Sequence, residues 1–176
     1  MPLERKLLLE TSRFRVEEVQ QPLPEGGTRP RQIVRHPGAV VVLPLIDADH
    51  VCLIRNYRVA VEQTLIELPA GTLEPNEEPA ENAHRELIEE TGYIAGRIEK
   101  LHSFLLSPGI LDERMHLYVA QELQPGPAAR EQGEEIENLV VSWDEAMAMV
   151  DCGKIQDAKT LVALLWWDRK RRTKAS

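Results

Sequence analysis

Three glutamates lie close together in a segment whose pattern predicts a helix. Glu86, Glu89 and Glu90 occupy positions i, i+3 and i+4, and such positions share one face of a helix. Three like charges on one face repel each other unless a cation lies among them. Hard divalent cations such as Mg²⁺ take carboxylate oxygens and substrate phosphates as ligands. The spacing is compatible with a metal site for phosphate chemistry, but the three glutamates taken alone are more typical of a solvated helix face.

Two neighbouring positions would help to shape such a site. Arg85 is spaced to pair with Glu89 one turn later or to fold back toward Glu77, and either contact would brace the carboxylates. Gly71 allows a sharp turn of the chain. A backbone carbonyl beside it, such as that of Ala70, is then able to face the same ion.

The helix itself is predicted over Pro79–Thr91. Proline suits the first helical turn, and Gly92 is a natural residue to follow the last one. Ala80, Ala83 and Leu87 stand at i, i+3 and i+7, which predicts that they form the buried stripe.

Strands are predicted on both sides of this helix, and two further helices follow them. The run at 38–46 is apolar on both faces, so we expect a central strand there. Strands and helices do not alternate regularly, which predicts an α+β fold. The predicted strands are 10–20, 31–36, 38–46, 50–60, 64–71, 97–107, 114–123 and 137–143, and the predicted C-terminal helices are 143–153 and 156–172.

Composition excludes several classes of function. The 176 residues are 43% hydrophobic and 28% charged, which suits one compact domain. A net charge of −8 leaves no excess of cations for a nucleic-acid backbone. No apolar run reaches the roughly 20 residues of a membrane span, and the N-terminus lacks the pattern of a signal peptide. Cys52 and Cys152 are expected to be buried thiols in a reducing compartment. We therefore expect a cytoplasmic protein that binds neither nucleic acid nor membrane.

The complete pattern around the glutamates is G-x5-E-x7-R-E-L-x-E-E-x-G-Y, running from Gly71 to Tyr93. It resembles the Nudix box, in which the position of Tyr93 usually holds Ile, Leu or Val. The resemblance implies a hydrolase that cleaves a diphosphate linked to another moiety and requires Mg²⁺, for which Mn²⁺ or another divalent ion substitutes. It also implies the Nudix fold, an α/β/α sandwich around a mixed β-sheet with an N-terminal antiparallel β extension. We expect a single domain over 1–176, with dimer-forming strands in 1–36 and the catalytic core in 37–176.

By the same resemblance, the metal ligands fall on Glu86 and Glu90, with Glu89 as a further ligand or as the base that orients water. The carbonyl of Ala70 joins this predicted set.

The catalytic base has three candidates. Members of the family usually supply a carboxylate from a late loop, here residues 128–143. Glu134 takes a metal-contacting position in that loop, and Gln132 stands where some relatives carry the catalytic glutamate. Because glutamine cannot usefully accept a proton, the base is Glu89, Glu131 or Glu134.

Four segments outside the box are similar to ADP-ribose pyrophosphatases, one branch of the Nudix family. They are HPGAVVVLPL at 36–45, IRNYR at 54–58, ELPAG at 67–71 and SPGILDERMHLYVA at 107–120. The branch implies hydrolysis of ADP-ribose to AMP and ribose 5-phosphate. One alternative is the same chemistry on another nucleoside diphosphate sugar, such as GDP-mannose or ADP-glucose. Another is a non-catalytic domain that senses ADP-ribose-like ligands, but such domains generally lose box carboxylates, which this chain keeps.

The resemblance also implies substrate-binding residues. Arg58 corresponds to an arginine that touches the substrate phosphates, and Pro108, sixteen positions after Gly92, matches a proline that marks ADP-ribose hydrolysis. Arg31 and Glu113 are further candidates, the first because relatives often reach across a homodimer from this stretch. Without the resemblance, each would be read as an ordinary surface or loop residue.

Few aromatic residues are available to stack on adenine. Phe14 is a candidate, but core packing is the commoner role of such a residue and the one that we expect. Trp166 and Trp167 are adjacent on the last predicted helix and cannot both face inward. One of them is expected to cover a sheet edge or a partner subunit, which agrees with the homodimer common in the family.

Overall fold

The computed structural model describes residues 3–126 and 136–174. The strands are β1 (Arg5–Glu10), β2 (Arg15–Pro22), β3 (Thr28–Arg35), β4 (Ala39–Pro44), β5 (His50–Arg58), β6 (Gln63–Glu67), β7 (Ala70–Thr72), β8 (Tyr93–Leu105), β9 (Arg114–Pro125) and β10 (Ile136–Ser142). The helices are α1 (Pro79–Thr91), α2 (Trp143–Asp151) and α3 (Ala158–Lys174).

The strands of the described residues form three sheets. An N-terminal sheet has the order β1-β2-β3, and a second antiparallel sheet has the order β10-β5-β6. The third sheet has the order β7-β4-β9-β8 and is mixed, because β4 and β9 run parallel while the other pairs are antiparallel. A mixed sheet, three helices and a separate N-terminal sheet match the predicted α+β layout.

Strand β4 is buried along its whole length because both of its faces are covered. Successive side chains of a strand point to opposite faces. Val40 and Val42 therefore pack in a cluster with Leu87 of α1, whereas Val41 and Leu43 lie in the larger core that includes residues of α2 and α3. The central position predicted for this strand is confirmed.

Helix α1 begins and ends where the sequence predicts. Gly92 ends it in the left-handed conformation, with φ of 75°. Ala83 and Leu87 are buried as expected, but Ala80 is exposed. The buried face instead includes Asn82, whose side-chain amide binds the preceding loop, so the predicted stripe was wrong at its first position.

Other predictions also need correction. Strand β1 was not predicted, and the chain reverses at residues 11–14, so β2 begins only at Arg15. The strand predicted over 64–71 is two strands, β6 and β7, which are separated by Leu68 and Pro69. Cys52 is buried, but Cys152 is exposed because it lies at the C-terminal end of α2. In the described part of the chain, no helix is long and apolar enough to span a bilayer.

Candidate active site

A cavity of about 670 Å³ lies at the face of α1 that carries the glutamates. Three parts of the chain line it: the turn between β1 and β2, the segment 70–75 that contains β7, and the outer face of α1. Arg58 at the end of β5 and Pro37 before β4 complete the lining. The fold thus brings the box glutamates together with residues far from them in sequence.

Two of the three glutamates are buried beside this cavity. Glu86 is 9% exposed and Glu90 is 5% exposed. The backbone N–H of Ala70 donates to Oε2 of Glu90 at 2.9 Å. A Cβ placed on Gly71 would lie 1.9 Å from the carboxylate of Glu86, so this close approach requires glycine. Residues 70 and 71 therefore hold both carboxylates against their backbone, and Gly71 lies within strand β7 instead of in the predicted sharp turn.

Arg85 binds the carboxylates on either side of it. Its Nε donates to Oε1 of Glu77 at 3.0 Å, and its Nη1 donates to Oε2 of Glu89 at 2.8 Å. Nη1 also lies 2.9 Å from Oε1 of Glu86. The side chain thus makes both of the contacts that the spacing allowed, as a bracing role requires. The hydrogen bonds that Glu77 accepts, first from Arg85 and then from the backbone of Glu74 and the side chain of Asn82, lower its pKa to about 2.

The side chains alone do not form a closed metal cage. Within residues 3–126 and 136–174, no three His, Cys, Asp or Glu side chains converge on one point in a way that would hold an ion. The available donors are nonetheless all oxygen atoms, and Mg²⁺ typically takes only one or two carboxylates together with water and substrate phosphates. Glu86 and Glu90, with the neighbouring backbone of Ala70, fit such an open site. The assignment of these residues and of Glu89 as ligands stays a prediction.

Arg58 lies in the cavity, where its guanidinium is held by a buried carboxylate. Nε donates to Oε1 of Glu67 at 2.9 Å, and Nη2 donates to Oε2 at 2.7 Å. The side chain of Arg58 remains 39% exposed, whereas that of Glu67 is 1% exposed. The hydrogen bonds to Glu67 raise the pKa of Arg58, so its charge is permanent. Sequence reasoning found the arginine but missed the glutamate that holds it.

Arg13 is a second cavity-lining cation that sequence reasoning missed. It lies in the turn between β1 and β2, which Thr11 organises: its Oγ1 donates to the carbonyl of Phe14 and accepts the backbone N–H groups of Arg13 and Phe14. Among the described residues, the guanidinium of Arg13 has no ion pair. Neither its residue type nor its spacing distinguished it from other surface arginines.

Three predicted substrate residues are not among those that line the cavity. Arg31 lies on β3 and donates through Nε to Gln21 at 2.9 Å. Pro108 is in the segment between β8 and β9, and this segment docks on β3. Glu113, in the same segment, has Oε1 3.6 Å from Nδ1 of His36 and is 15% exposed. Their roles stay predictions.

The candidate bases in the late loop, Glu131 and Glu134, and the neighbouring Gln132 lie outside the described residues. Of the three candidates for the base, the structure places only Glu89, which lines the cavity and is bound by Arg85.

The candidate aromatic residues differ in their exposure and in their contacts. Phe14 is 37% exposed, so the expected core packing was wrong. Trp167 packs against that core, whereas Trp166 stacks on His102 of β8, with ring centroids 6.3 Å apart. Because β8 is an edge strand, the expectation that one tryptophan covers a sheet edge is confirmed.

The chain is similar to a known protein family and to two characterised proteins of the genus Bacillus. The chain matches the family model of the NUDIX domain over residues 35–164. It is 40% identical over 162 residues to an ADP-ribose pyrophosphatase of Bacillus subtilis (strain 168), an alignment that covers 91% of this chain and 86% of the relative. It is also 40% identical over 154 residues to a methanol dehydrogenase activator of Bacillus methanolicus, covering 86% and 82%.

Two further matches are a relative with lower coverage and a solved structure. A GDP-mannose pyrophosphatase of Citrobacter koseri is 37% identical over 136 residues, covering 72% of this chain and 71% of the relative. A solved structure described as an ADP compounds hydrolase superposes with a TM-score of 0.86, covering 98% of this chain and 95% of the other. At 24% sequence identity, that superposition establishes the fold.

Proposed function

Because the chain belongs to the Nudix family of hydrolases, we propose that it hydrolyses the diphosphate bond of ADP-ribose and releases AMP and ribose 5-phosphate. One observation carries the proposal: the cavity holds two buried carboxylates, Glu86 and Glu90, together with the cation Arg58. Carboxylates supply ligands for divalent ions, and the arginine supplies a fixed charge for phosphate. The relative from Bacillus subtilis supports ADP-ribose as the substrate.

Mg²⁺ is the proposed cofactor, and Mn²⁺ or another divalent ion is expected to substitute. Glu86, Glu90 and the carbonyl of Ala70 would hold it, with Glu89 as a further ligand. When bound, divalent ions neutralise phosphate charge and lower the pKa of bound water. The protein's own contribution is to place these oxygen donors, since Arg85 and the backbone of β7 at Gly71 fix the carboxylates.

The cations of the cavity would bind and orient the substrate. Arg58 donates to Glu67 through Nε and Nη2, so its Nη1 amino group remains for a phosphate oxygen. Arg13 would bind a second anionic or hydroxyl group of the substrate. Hydrolysis forms a bond from the water oxygen to phosphorus and breaks one bond of the P–O–P bridge. The proton of that water passes to one of the three proposed bases, Glu89, Glu131 or Glu134.

A homodimer is also proposed, on the basis of the N-terminal sheet. Its edge strand β1 exposes three consecutive leucines, Leu7, Leu8 and Leu9, at 53%, 46% and 51%. An apolar edge strand of this kind is suited to being covered by a second copy of the chain. Arg31, Pro108 and Glu113, which lie on or beside this sheet, would then contribute to substrate binding.

A cytoplasmic location stays a prediction from the sequence.

The main alternative substrate is another nucleoside diphosphate sugar. Relatives described as GDP-mannose pyrophosphatases favour this candidate, although they match less of the chain than the ADP-ribose pyrophosphatase does. A non-catalytic sensor is disfavoured because Glu77, Glu86, Glu89 and Glu90 are all present.

The proposal is tested by product analysis with ADP-ribose, ADP-glucose, GDP-mannose and NADH, each with Mg²⁺ and with a chelator. We expect preferential turnover of ADP-ribose to AMP, lost when the metal is removed. Preference for a different sugar would refute the substrate assignment and keep the chemistry. Tight binding of ADP-ribose without turnover of any compound would favour the sensor.

A further inference from the structure

We propose that Lys159, at the start of α3, is a positioning residue for Arg58 and acts on it through the buried carboxylate of Glu67. The inference rests on the proposed function, since it takes Arg58 to be a ligand of the substrate diphosphate. It extends the site to the C-terminal helix, which does not line the cavity.

The carboxylate of Glu67 binds two cations. It accepts two hydrogen bonds from Arg58, at 2.9 Å on Oε1 and 2.7 Å on Oε2. Nζ of Lys159 also donates to Oε2, at 2.5 Å. Glu67 is 1% exposed and Lys159 is 8% exposed. Burial alone would raise the pKa of Glu67, but the contacts with Arg58 and Lys159 outweigh burial and lower it. The residue is therefore an anion at neutral pH.

The pairing fixes the orientation of the guanidinium. Two parallel N–H···O bonds hold the planar group of Arg58 in one plane relative to Glu67. These bonds use one edge of the group and leave Nη1 for another acceptor. A diphosphate in the cavity and the carboxylate of Glu67 compete for the same positive charge.

Lys159 changes the outcome of that competition. If Arg58 were the sole cation bound to Glu67, any movement of the guanidinium toward the substrate would leave the buried carboxylate of Glu67 without a counter-charge. With Lys159 in place, a second cation compensates the charge of Glu67. Arg58 then keeps a fixed geometry while its positive charge remains available to the substrate.

The lysine is itself held in place by the first turn of α3. Nζ of Lys159 lies 3.0 Å from Oδ1 of Asp157. The other oxygen of Asp157 accepts the backbone N–H and the hydroxyl of Thr160 at 3.0 and 2.6 Å. The hydroxyl oxygen of Thr160 accepts the backbone N–H of Leu68 at 2.8 Å. The helix start thus binds Glu67 at the end of β6 and the following Leu68, close to strand β7, which carries the carboxylate site.

A double-mutant cycle separates this role from general stabilisation. Lys159→Met, Arg58→Met and the double variant are prepared in the full chain, with Lys159→Arg as the conservative variant. Lys154→Met is the matched control, because this lysine is exposed and lies outside the cavity. For each protein, kcat and KM are measured with saturating Mg²⁺, and Tm is measured to verify folding.

We expect Lys159→Met to lower kcat/KM about tenfold, mainly through KM, and to have less than about a twofold effect when Arg58 is already Met. Lys159→Arg should recover most of the loss, and Lys154→Met should behave as the unsubstituted protein does. Equal losses in both backgrounds, or no loss in the native background, would overturn the inference and leave the proposed function intact. If the unsubstituted chain hydrolyses no nucleoside diphosphate, the proposed function fails, and this inference fails with it.

Discussion

Replacing Gly71 with alanine should lower the activity of this protein and leave its stability nearly unchanged. The added Cβ would lie 1.9 Å from the carboxylate of Glu86, whereas real Cβ contacts are essentially never below 3.0 Å. The carboxylate must therefore retreat by at least about 1.1 Å. It is the far end of a flexible side chain, so this movement disturbs the backbone little. It does displace a proposed metal ligand from its position.

The expected loss of activity follows from that displacement. A misplacement of about 1 Å in a catalytic site costs on the order of 10²-fold in rate. We therefore expect Gly71→Ala to lower kcat about a hundredfold at saturating Mg²⁺, while the free energy of unfolding changes by less than about 1 kcal/mol.

Steady-state kinetics across a Mg²⁺ titration and urea denaturation together test this prediction. Gly109→Ala is the control for the loss of a glycine, because a Cβ at that position meets no atom within 4 Å. Near-native turnover by Gly71→Ala would refute the reasoning, since the carboxylate position would then be unimportant. A large loss of stability would show that the backbone moves instead of Glu86.

Three further predictions concern other parts of the molecule. Glu86→Gln or Glu90→Gln should lower turnover by at least about 10²-fold with little loss of Tm, because each removes a proposed metal ligand and relieves carboxylate repulsion; a variant with native kcat would contradict the metal assignment. The folded-state pKa of Glu77 is about 2, below the ordinary value of 4.5. Its contribution to stability is therefore fully present above about pH 5 and is lost as the pH falls toward 2. The difference in unfolding free energy between the native protein and Glu77→Gln should shrink over that range in urea titrations, and a constant difference would be the contrary result. Leu9→Glu should weaken the proposed dimer, because it places a charge on the exposed apolar strand β1; sedimentation velocity that finds the same species for both proteins would contradict that surface.

Local features of the sequence were sufficient to predict helix α1 and the grouping of its glutamates. Pro79 and Gly92 set its two ends through backbone geometry, which depends only on neighbouring residues. The positions of Glu86 and Glu90 on one face follow from the helical repeat. The β4 strand was equally predictable, because a run that is apolar on both faces has to be covered on both sides.

Burial along the helix was harder to predict, since periodicity alone does not say how far the neighbouring chain extends. Ala80 fits the apolar stripe but is exposed, whereas the polar Asn82 is buried. The amide of Asn82 binds the Thr72 carbonyl and the Glu77 carboxylate of the preceding loop. These contacts compensate the burial of the side-chain N–H groups of Asn82, and they arise from the path of β7 and of the loop after it.

The sequence by itself determined which residues are candidates for the chemistry: three glutamates on one helix, Gly71, and the arginine at the end of β5. Only the tertiary structure decided what surrounds them. Lys159 lies 92 positions from Glu67, and no spacing rule connects residues that far apart. Arg13 reaches the cavity only because a short turn between two strands lies over it. Motifs depend on local repeats, whereas ion pairs and cavity walls depend on how distant segments pack.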